Sequence, residues 1–278
     1  MSIAMVERLS LDVTKRCQLK CEPCYNDSGP RGDHGDMTLD DWKRVLREAH
    51  GAGIRKVQGI GGEITLFPHG REVIFYALSL GMEVEVFSNL VHVSSAWWEL
   101  FQLPQVTVAT SYYSSDPDAH NRVTGRASHA RTRDNIIRAV QLGVPIRVGI
   151  VQHHEDQDVK AAAQELADLG VADIRVDQTR SLGRAASDHE SSAADLCGNC
   201  GVGKASIDPF GNVSPCPMAA GFLRVGNVLT APLGEILNGE EMSAARAEIL
   251  AAPRNSDGCD PDTECSPGSP GSGCNPRN

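Results

Sequence analysis

From Glu7 to about Arg180, short β-branched runs alternate with longer stretches whose apolar residues recur at helical spacing. The runs Arg8–Val13, Lys56–Gly61, Glu83–Phe87, Gln105–Ser111, Arg147–Gln152 and Asp173–Asp177 read as strands. Between them, Leu39–Ala49, Glu72–Leu80, Ala96–Leu103, Thr132–Leu142 and Val159–Leu169 carry the helical pattern. Thr38 followed by Asp41 marks a helix start, and Gly53, Gly81, Gly143 and Gly170 stand where helices should stop. Six strands alternating with helices predict an α/β fold with a parallel sheet and right-handed crossovers. Periodicity alone does not choose between an open sheet and a partial barrel.

The texture changes after Arg180. Ser181–Asp195 is small, polar and loop-like, so the boundary is expected there, between residues 1–185 and a C-terminal part, 186–278. The tail, Pro253–Asn278, is rich in Pro, Gly, Ser and Asp and nearly lacks apolar residues, so burial alone cannot offset its ordering entropy. It does hold cysteines, and metal ligation would order it.

Charge and composition narrow the partners. The net charge of −10 argues against a nucleic-acid or anionic-membrane partner, since both require a basic surface. The first residues, MSIAMVERLSLDV, lack the basic and apolar regions of a signal peptide, and no run is long enough to span a bilayer. A cytoplasmic location is expected.

The nine cysteines then need a reason, because structural disulfides are rare in a reducing compartment. Three fall within residues 17–24, none within 25–196 and six within 197–274. Cys17, Cys21 and Cys24 follow directly on the first strand, on the face where sheet and barrel enzymes assemble their sites. Three thiolates on a [4Fe–4S] cubane leave one iron open, as a substrate-binding cluster needs. A zinc site completed by a distant histidine, or free thiols, are the alternative readings of the spacing.

Cys-x3-Cys-x2-Cys after a first strand resembles the signature of the radical S-adenosylmethionine (SAM) superfamily. It departs from that pattern at Pro23, where an aromatic residue is usual; Tyr25 follows the third cysteine instead. The resemblance implies a partial (β/α)6 TIM-like barrel, a cluster held by Cys17, Cys21 and Cys24, and SAM as cofactor. It also implies SAM contacts at Gly61, Gly62 and Glu63, where a carboxylate suits an ammonium, and at Ser88, Asn89 and Ser111. In the segment His120-x-Arg122-x-x-Gly125, Arg122 is the candidate partner of the SAM carboxylate, and Gly149 and Gln152 fall in the expected adenine-binding stretch.

Cys197-x2-Cys200, then Gly211 and Cys216, surround a stretch that reads as a hairpin turning at Asp208-Pro-Phe-Gly. This resembles the SPASM or twitch auxiliary-cluster extension of radical SAM peptide maturases, followed by a short strand at Val225–Val228 and a helix at Leu233–Leu237. Cys259, Cys265 and Cys274 complete the candidate ligands, but six cysteines cannot supply two fully cysteine-ligated clusters. At least one auxiliary iron–sulfur cluster is therefore expected, from Cys197, Cys200, Cys216 and one later cysteine.

The resemblance implies reductive cleavage of SAM to a 5′-deoxyadenosyl radical that abstracts hydrogen from substrate, with electrons from a flavodoxin- or ferredoxin-type donor. The expected substrate is a ribosomally made precursor peptide undergoing oxidative modification or crosslinking. Because Cys17 comes early, a separate leader-peptide-binding protein is one expected way of recruiting it. The alternatives are a small-molecule substrate, as in a dehydrogenase of a sugar or cyclitol alcohol with Asp177 or Arg180 near the substrate, and a non-catalytic Fe–S or zinc scaffold. Among the remaining features, one of Trp97 and Trp98 is expected in the core and the other at its rim. One of Tyr112 and Tyr113 is a candidate cavity residue. His153-His154-Glu155-Asp156 reads as a solvated turn opening a helix.

Overall fold

A computed structural model describes residues 6–198 and 200–253. Cys259, Cys265 and Cys274 lie outside them. Six parallel strands, β1 (Arg8–Asp12), β2 (Lys56–Ile60), β3 (Glu83–Phe87), β4 (Val106–Tyr112), β5 (Ile146–Gln152) and β6 (Asp173–Gln178), lie side by side in sequence order. The crossovers carry α1 (Leu39–Gly51), α2 (Gly70–Ser79), α3 (Ser95–Phe101), α4 (Pro117–Thr124) with α5 (His129–Gln141), and α6 (Val159–Asp168).

The C-terminal part continues this sheet rather than standing apart from it. β7 (Lys204–Ile207) pairs in parallel with β1, then turns back through β8 (Asn212–Ser214) to β9 (Gly226–Asn227). The strand order is therefore β6-β5-β4-β3-β2-β1-β7-β8-β9, in one nine-stranded sheet whose ends do not meet among the described residues. The helices α7 (Leu233–Leu237) and α8 (Glu240–Ala251) follow.

Alternation along the strands separates two chemistries. Leu9, Leu11, Val57, Val84, Val86 and Val108 join the main apolar core with Trp42, Leu46, Ile74 and Phe101. The other face carries a polar chain: Ser10 Oγ donates to Gln58 Oε1 at 3.0 Å, Gln58 Nε2 donates to Glu85 Oε1 at 2.6 Å, and Arg147 Nε reaches Glu85 Oε2 at 3.4 Å. That face becomes apolar and aromatic only near the C-terminal strand ends, at Ile60, Phe87, Tyr113 and Val151, where it opens into a cavity.

The expected strands and the helices between them match to within a few residues, and the hairpin, the short strand and the 233–237 helix are also found. The helices α4 and α8 were not anticipated. Trp97 and Trp98 are both buried, at 5% and 2% exposure, because both rings pack on Phe101. No helix among the described residues is long and apolar enough to cross a membrane.

The start of α1 is a reciprocal cap: Asp41 N donates to Thr38 Oγ1 at 3.2 Å, and Thr38 N donates to Asp41 Oδ2 at 3.0 Å. Thr38→Ala should lower stability by about 1 kcal/mol, read from urea unfolding. The Thr38 hydroxyl holds the Asp41 carboxyl below its ordinary value. Its stabilisation is thus present above the ordinary aspartate range and lost as pH falls through the depressed folded value. The gap between Thr38→Ala and parent should narrow in acid.

Candidate active site

The loop after β1 is held against three other segments. Cys17 N donates to Gly29 O at 3.0 Å, Gly62 N to Thr14 O at 2.6 Å and Glu63 N to Arg16 O at 2.9 Å. Lys20 N and Glu22 N bond the carbonyls of Thr124 and Val123 at the end of α4. From the far side, Arg184 N donates to Cys24 O at 2.9 Å, while the Arg184 guanidinium bonds the carbonyls of Cys21 and Ser28. Gly183 lies so close to Tyr25 that a Cβ would stand 2.1 Å from its carbonyl oxygen, and its φ of +55° also disfavours a side chain. Gly183 and Arg184 were missed in the sequence, where a lone Gly-Arg in a polar loop carries no periodic or motif signal.

So fastened, Cys17, Cys21 and Cys24 line one cleft. Cys17 Sγ accepts from Leu19 N at 3.4 Å and Asn89 Nδ2 at 3.6 Å, and Cys24 Sγ accepts from Ser28 N at 3.3 Å. As free thiols all three are pushed up, chiefly by burial, Cys21 to about 12. Three thiols held up in this way ionise readily only when a cationic group enters beside them. The donor set therefore fits a thiolate-ligated iron–sulfur cluster, and Cys17, Cys21 and Cys24 would hold it.

The other expected contacts divide. Gly61, Gly62, Asn89 and Ser111 line the same cleft. Glu63 does not. Its carboxylate is 1% exposed and accepts from Ser88 Oγ at 2.8 Å, Asn89 N at 2.8 Å and Thr65 N at 3.1 Å. Burial pushes this carboxyl up while those donors pull it down. Glu63 thus fixes the end of β3, with Ser88 as its partner, and leaves the cleft rim to the Gly61–Gly62 backbone. Arg122 also lies elsewhere: on the outer side of α4 its guanidinium grips Asp156, with both oxygens at 2.8 Å from Nη2. Gln152 and Gly149 are absent from the lining, where β5 contributes Val151.

Thr124 and Thr132 line the cleft and were not anticipated; of the two candidate tyrosines, Tyr113 faces it. Tyr112 is buried instead against His129 Nε2 and Glu165 Oε2, at 2.7 and 2.8 Å. His120 is fully buried, with its Nδ1 unpartnered, and burial followed by His129 pushes it down to about 3, so its imidazole is neutral. Asp177 and Arg180 pair with one another at 3.3 Å and do not line the cleft.

A second sulfur group sits beside the first. Cys197, Cys200 and Cys216 are buried, with the Cys197 and Cys200 sulfurs 3.8 Å apart, packed among Leu182, Leu196, Met218 and Ile249. Sulfur neighbours Cys197 and Cys216, then burial, push Cys200 well up. This set again suits thiolate metal ligation and leaves a fourth position to another residue.

The Radical SAM superfamily model matches residues 11–166, more than half of the chain. The chain belongs to the radical SAM superfamily. An iron–sulfur cluster-binding domain of the SPASM type matches residues 197–266, which takes in Cys259 and Cys265. This radical SAM chain is 24% identical over 264 residues to the antilisterial bacteriocin subtilosin biosynthesis protein AlbA of Bacillus subtilis, covering 82% of itself and 59% of that relative. It is 27% identical over 179 residues to the sporulation killing factor maturation protein SkfB of the same species, covering 63% and 43%. The chain thus spans about half the length of these curated relatives. In fold it resembles Streptococcus suis SuiB bound to S-adenosylmethionine, with a TM-score of 0.73 at 16% identity over 89% of this chain and 68% of SuiB. SuiB has also been solved with its precursor peptide SuiA.

Proposed function

We propose that this chain is a peptide-modifying radical SAM enzyme, built from a barrel part, residues 1–185, and an auxiliary iron–sulfur part, residues 186–278. The observation that carries the reading is the convergence of Cys17, Cys21 and Cys24 on one cleft rimmed by Gly61, Gly62, Asn89 and Ser111. When bound, a reduced [4Fe–4S] cluster supplies the electron that cleaves SAM to a 5′-deoxyadenosyl radical, which abstracts hydrogen from the substrate.

The chain's own residues then do five things. The three cysteines hold the cluster, and Gly61 and Gly62 let the cysteine loop pack against the strand end while rimming the cleft. The side chains of Asn89, Ser111, Thr124 and Thr132 offer polar contacts that orient SAM. Ile60, Phe87, Tyr113 and Val151 form an apolar wall that keeps water from a reactive intermediate. Cys197, Cys200 and Cys216 hold an auxiliary cluster able to take up the electron released on substrate oxidation.

A ribosomally made precursor peptide is the proposed substrate, supported by the bacteriocin-biosynthesis role named for AlbA, the maturation role named for SkfB and the SuiB complex with its precursor peptide SuiA. A sugar or cyclitol alcohol is less well supported, because Asp177, the candidate base, is engaged by Arg180 away from the cleft lining. A flavodoxin- or ferredoxin-type donor, and a separate leader-binding protein, complete the proposed system.

The test is anaerobic. Reconstituted protein with dithionite and SAM is expected to release 5′-deoxyadenosine, quantified by mass spectrometry, and the Cys17→Ala/Cys21→Ala/Cys24→Ala variant to release none. Absence of both SAM binding and product in the parent would sink the reading and leave a metal-binding scaffold.

A further inference from the structure

We propose that Glu22, His153 and His154 form a site for a zinc-class divalent cation, outside the SAM cleft and independent of the thiolate ligands. The turn after β5 brings two consecutive imidazoles to a single carboxylate oxygen: Glu22 Oε2 lies 2.7 Å from His154 Nε2 and 3.2 Å from His153 Nε2. In a tetrahedral centre with metal–ligand bonds near 2.0–2.1 Å, neighbouring donors stand about 3.3 Å apart. The three donor atoms lie within 4.8 Å of one another, and a small outward motion of the Glu22 side chain, which is 43% exposed, would bring its oxygen to that spacing from both rings. Two imidazoles and one carboxylate match a known zinc donor set and leave a fourth position for water.

The surroundings fix these donors before any cation arrives. Gln157 Oε1 accepts from the backbone N–H groups of both His153 and His154, each at 2.6 Å. Gln157 Nε2 donates to Tyr113 O at 2.7 Å and Val151 O at 3.0 Å, fastening the turn to the ends of β4 and β5. Thr179 Oγ1 lies 3.2 Å from His153 Nδ1, leaving Nε2 of that ring for the site. Outer contacts of this kind orient metal-bound imidazoles and raise affinity. The competing cation, Arg122, is held by Asp156. The Glu22 backbone is itself anchored, to Val123 O at 2.9 Å, so a cation here would tie the loop bearing Cys21 and Cys24 to the turn after β5.

The experiment uses the full chain with its clusters reconstituted, desalted and titrated with zinc(II) against a chromophoric chelator, with the zinc X-ray absorption spectrum recorded at one equivalent. One zinc per chain with nitrogen and oxygen neighbours is expected, weakened roughly tenfold or more in Glu22→Gln and in His153→Gln/His154→Gln. If Glu22→Gln disturbs cluster loading, the histidine pair decides. Zinc held only by sulfur, or bound equally by parent and histidine variant, would overturn the site whatever the outcome of the SAM-cleavage assay.

Discussion

Gly62→Ala is expected to abolish iron loading at Cys17, Cys21 and Cys24, and SAM cleavage with it. A Cβ at this position would stand 2.5 Å from Arg16 O, 2.8 Å from the Arg16 carbonyl carbon and 2.9 Å from Ser28 Cβ. Backbone presses from the side of Arg16, so no flexible side chain can give way there. Relief requires the loop to retract, breaking the bonds from Gly62 N to Thr14 O and from Glu63 N to Arg16 O. Overpacking alone costs about 1–3 kcal/mol. The larger effect is on position, because Cys17 is the next residue along and must retract with the loop. Gly51, at the end of α1, is the matched control, since a Cβ there meets nothing within 4 Å. Gly51→Ala should keep parent iron content and stability, or gain slightly from helix propensity. Iron and acid-labile sulfide per chain, measured beside thermal midpoints, check the pair. Parental iron in Gly62→Ala would show that the loop yields more cheaply than this contact allows.

Gly62 also separates what local pattern announces from what tertiary contact decides. A glycine pair at the end of the second strand was expected to let backbone approach a ligand. Both glycines do rim the cleft, yet the closest approach is to the chain's own cysteine loop. Local pattern can announce that something must come near; it cannot say what, because the neighbour lies far away in sequence. Glu63 follows the same logic. An acid ending that strand was expected to face an ammonium, but Ser88 and the Asn89 amide, supplied by the next crossover, consume its oxygens.

The repeating strands and helices were legible because each repeats one simple pattern, and a parallel sheet covered by helices buries long apolar runs. The missed helices lack that pattern. In α4, PDAHNRVT has no apolar stripe and buries His120, Val123 and Thr124. In α8 the large buried side chains are Met242 and Ile249, spread among Ala and Glu. The turn at His153 and His154 looked solvated because its partner, Glu22, lies far back in the chain. Cys17, Cys21 and Cys24 stand out by a spacing that carries a specific resemblance, whereas Arg122, chosen by a looser resemblance, lies on the far side of its helix from the cleft.

The pairing of β7 with β1 leads to the second large effect. Replacing Cys197, Cys200 and Cys216 together with alanine should destabilise the whole molecule in one step, not the C-terminal part alone. These cysteines flank β7, which is hydrogen-bonded to β1 in the middle of a continuous sheet, and Glu7 N and Arg8 N both bond Gly203 O. Metal ligation by such a set is coupled to folding, worth on the order of 10 kcal/mol where it has been measured in small zinc domains. With β7 loosened, β1 loses one of its two neighbours, and β1 leads directly into Cys17. A chain of this size shifts its midpoint by about 2–4 °C per kcal/mol, so a fall of well over 10 °C is expected in anaerobic calorimetry of the cluster-loaded proteins. The parent and the variant should each melt in a single transition. Two separate transitions in the variant, the upper one at the parental midpoint, would mean that the barrel and the auxiliary part are independent units joined only by a shared edge. The single-transition outcome would explain why an auxiliary metal site packs beside the SAM cleft: β1 and β7 carry both, and neither can be assembled without the other.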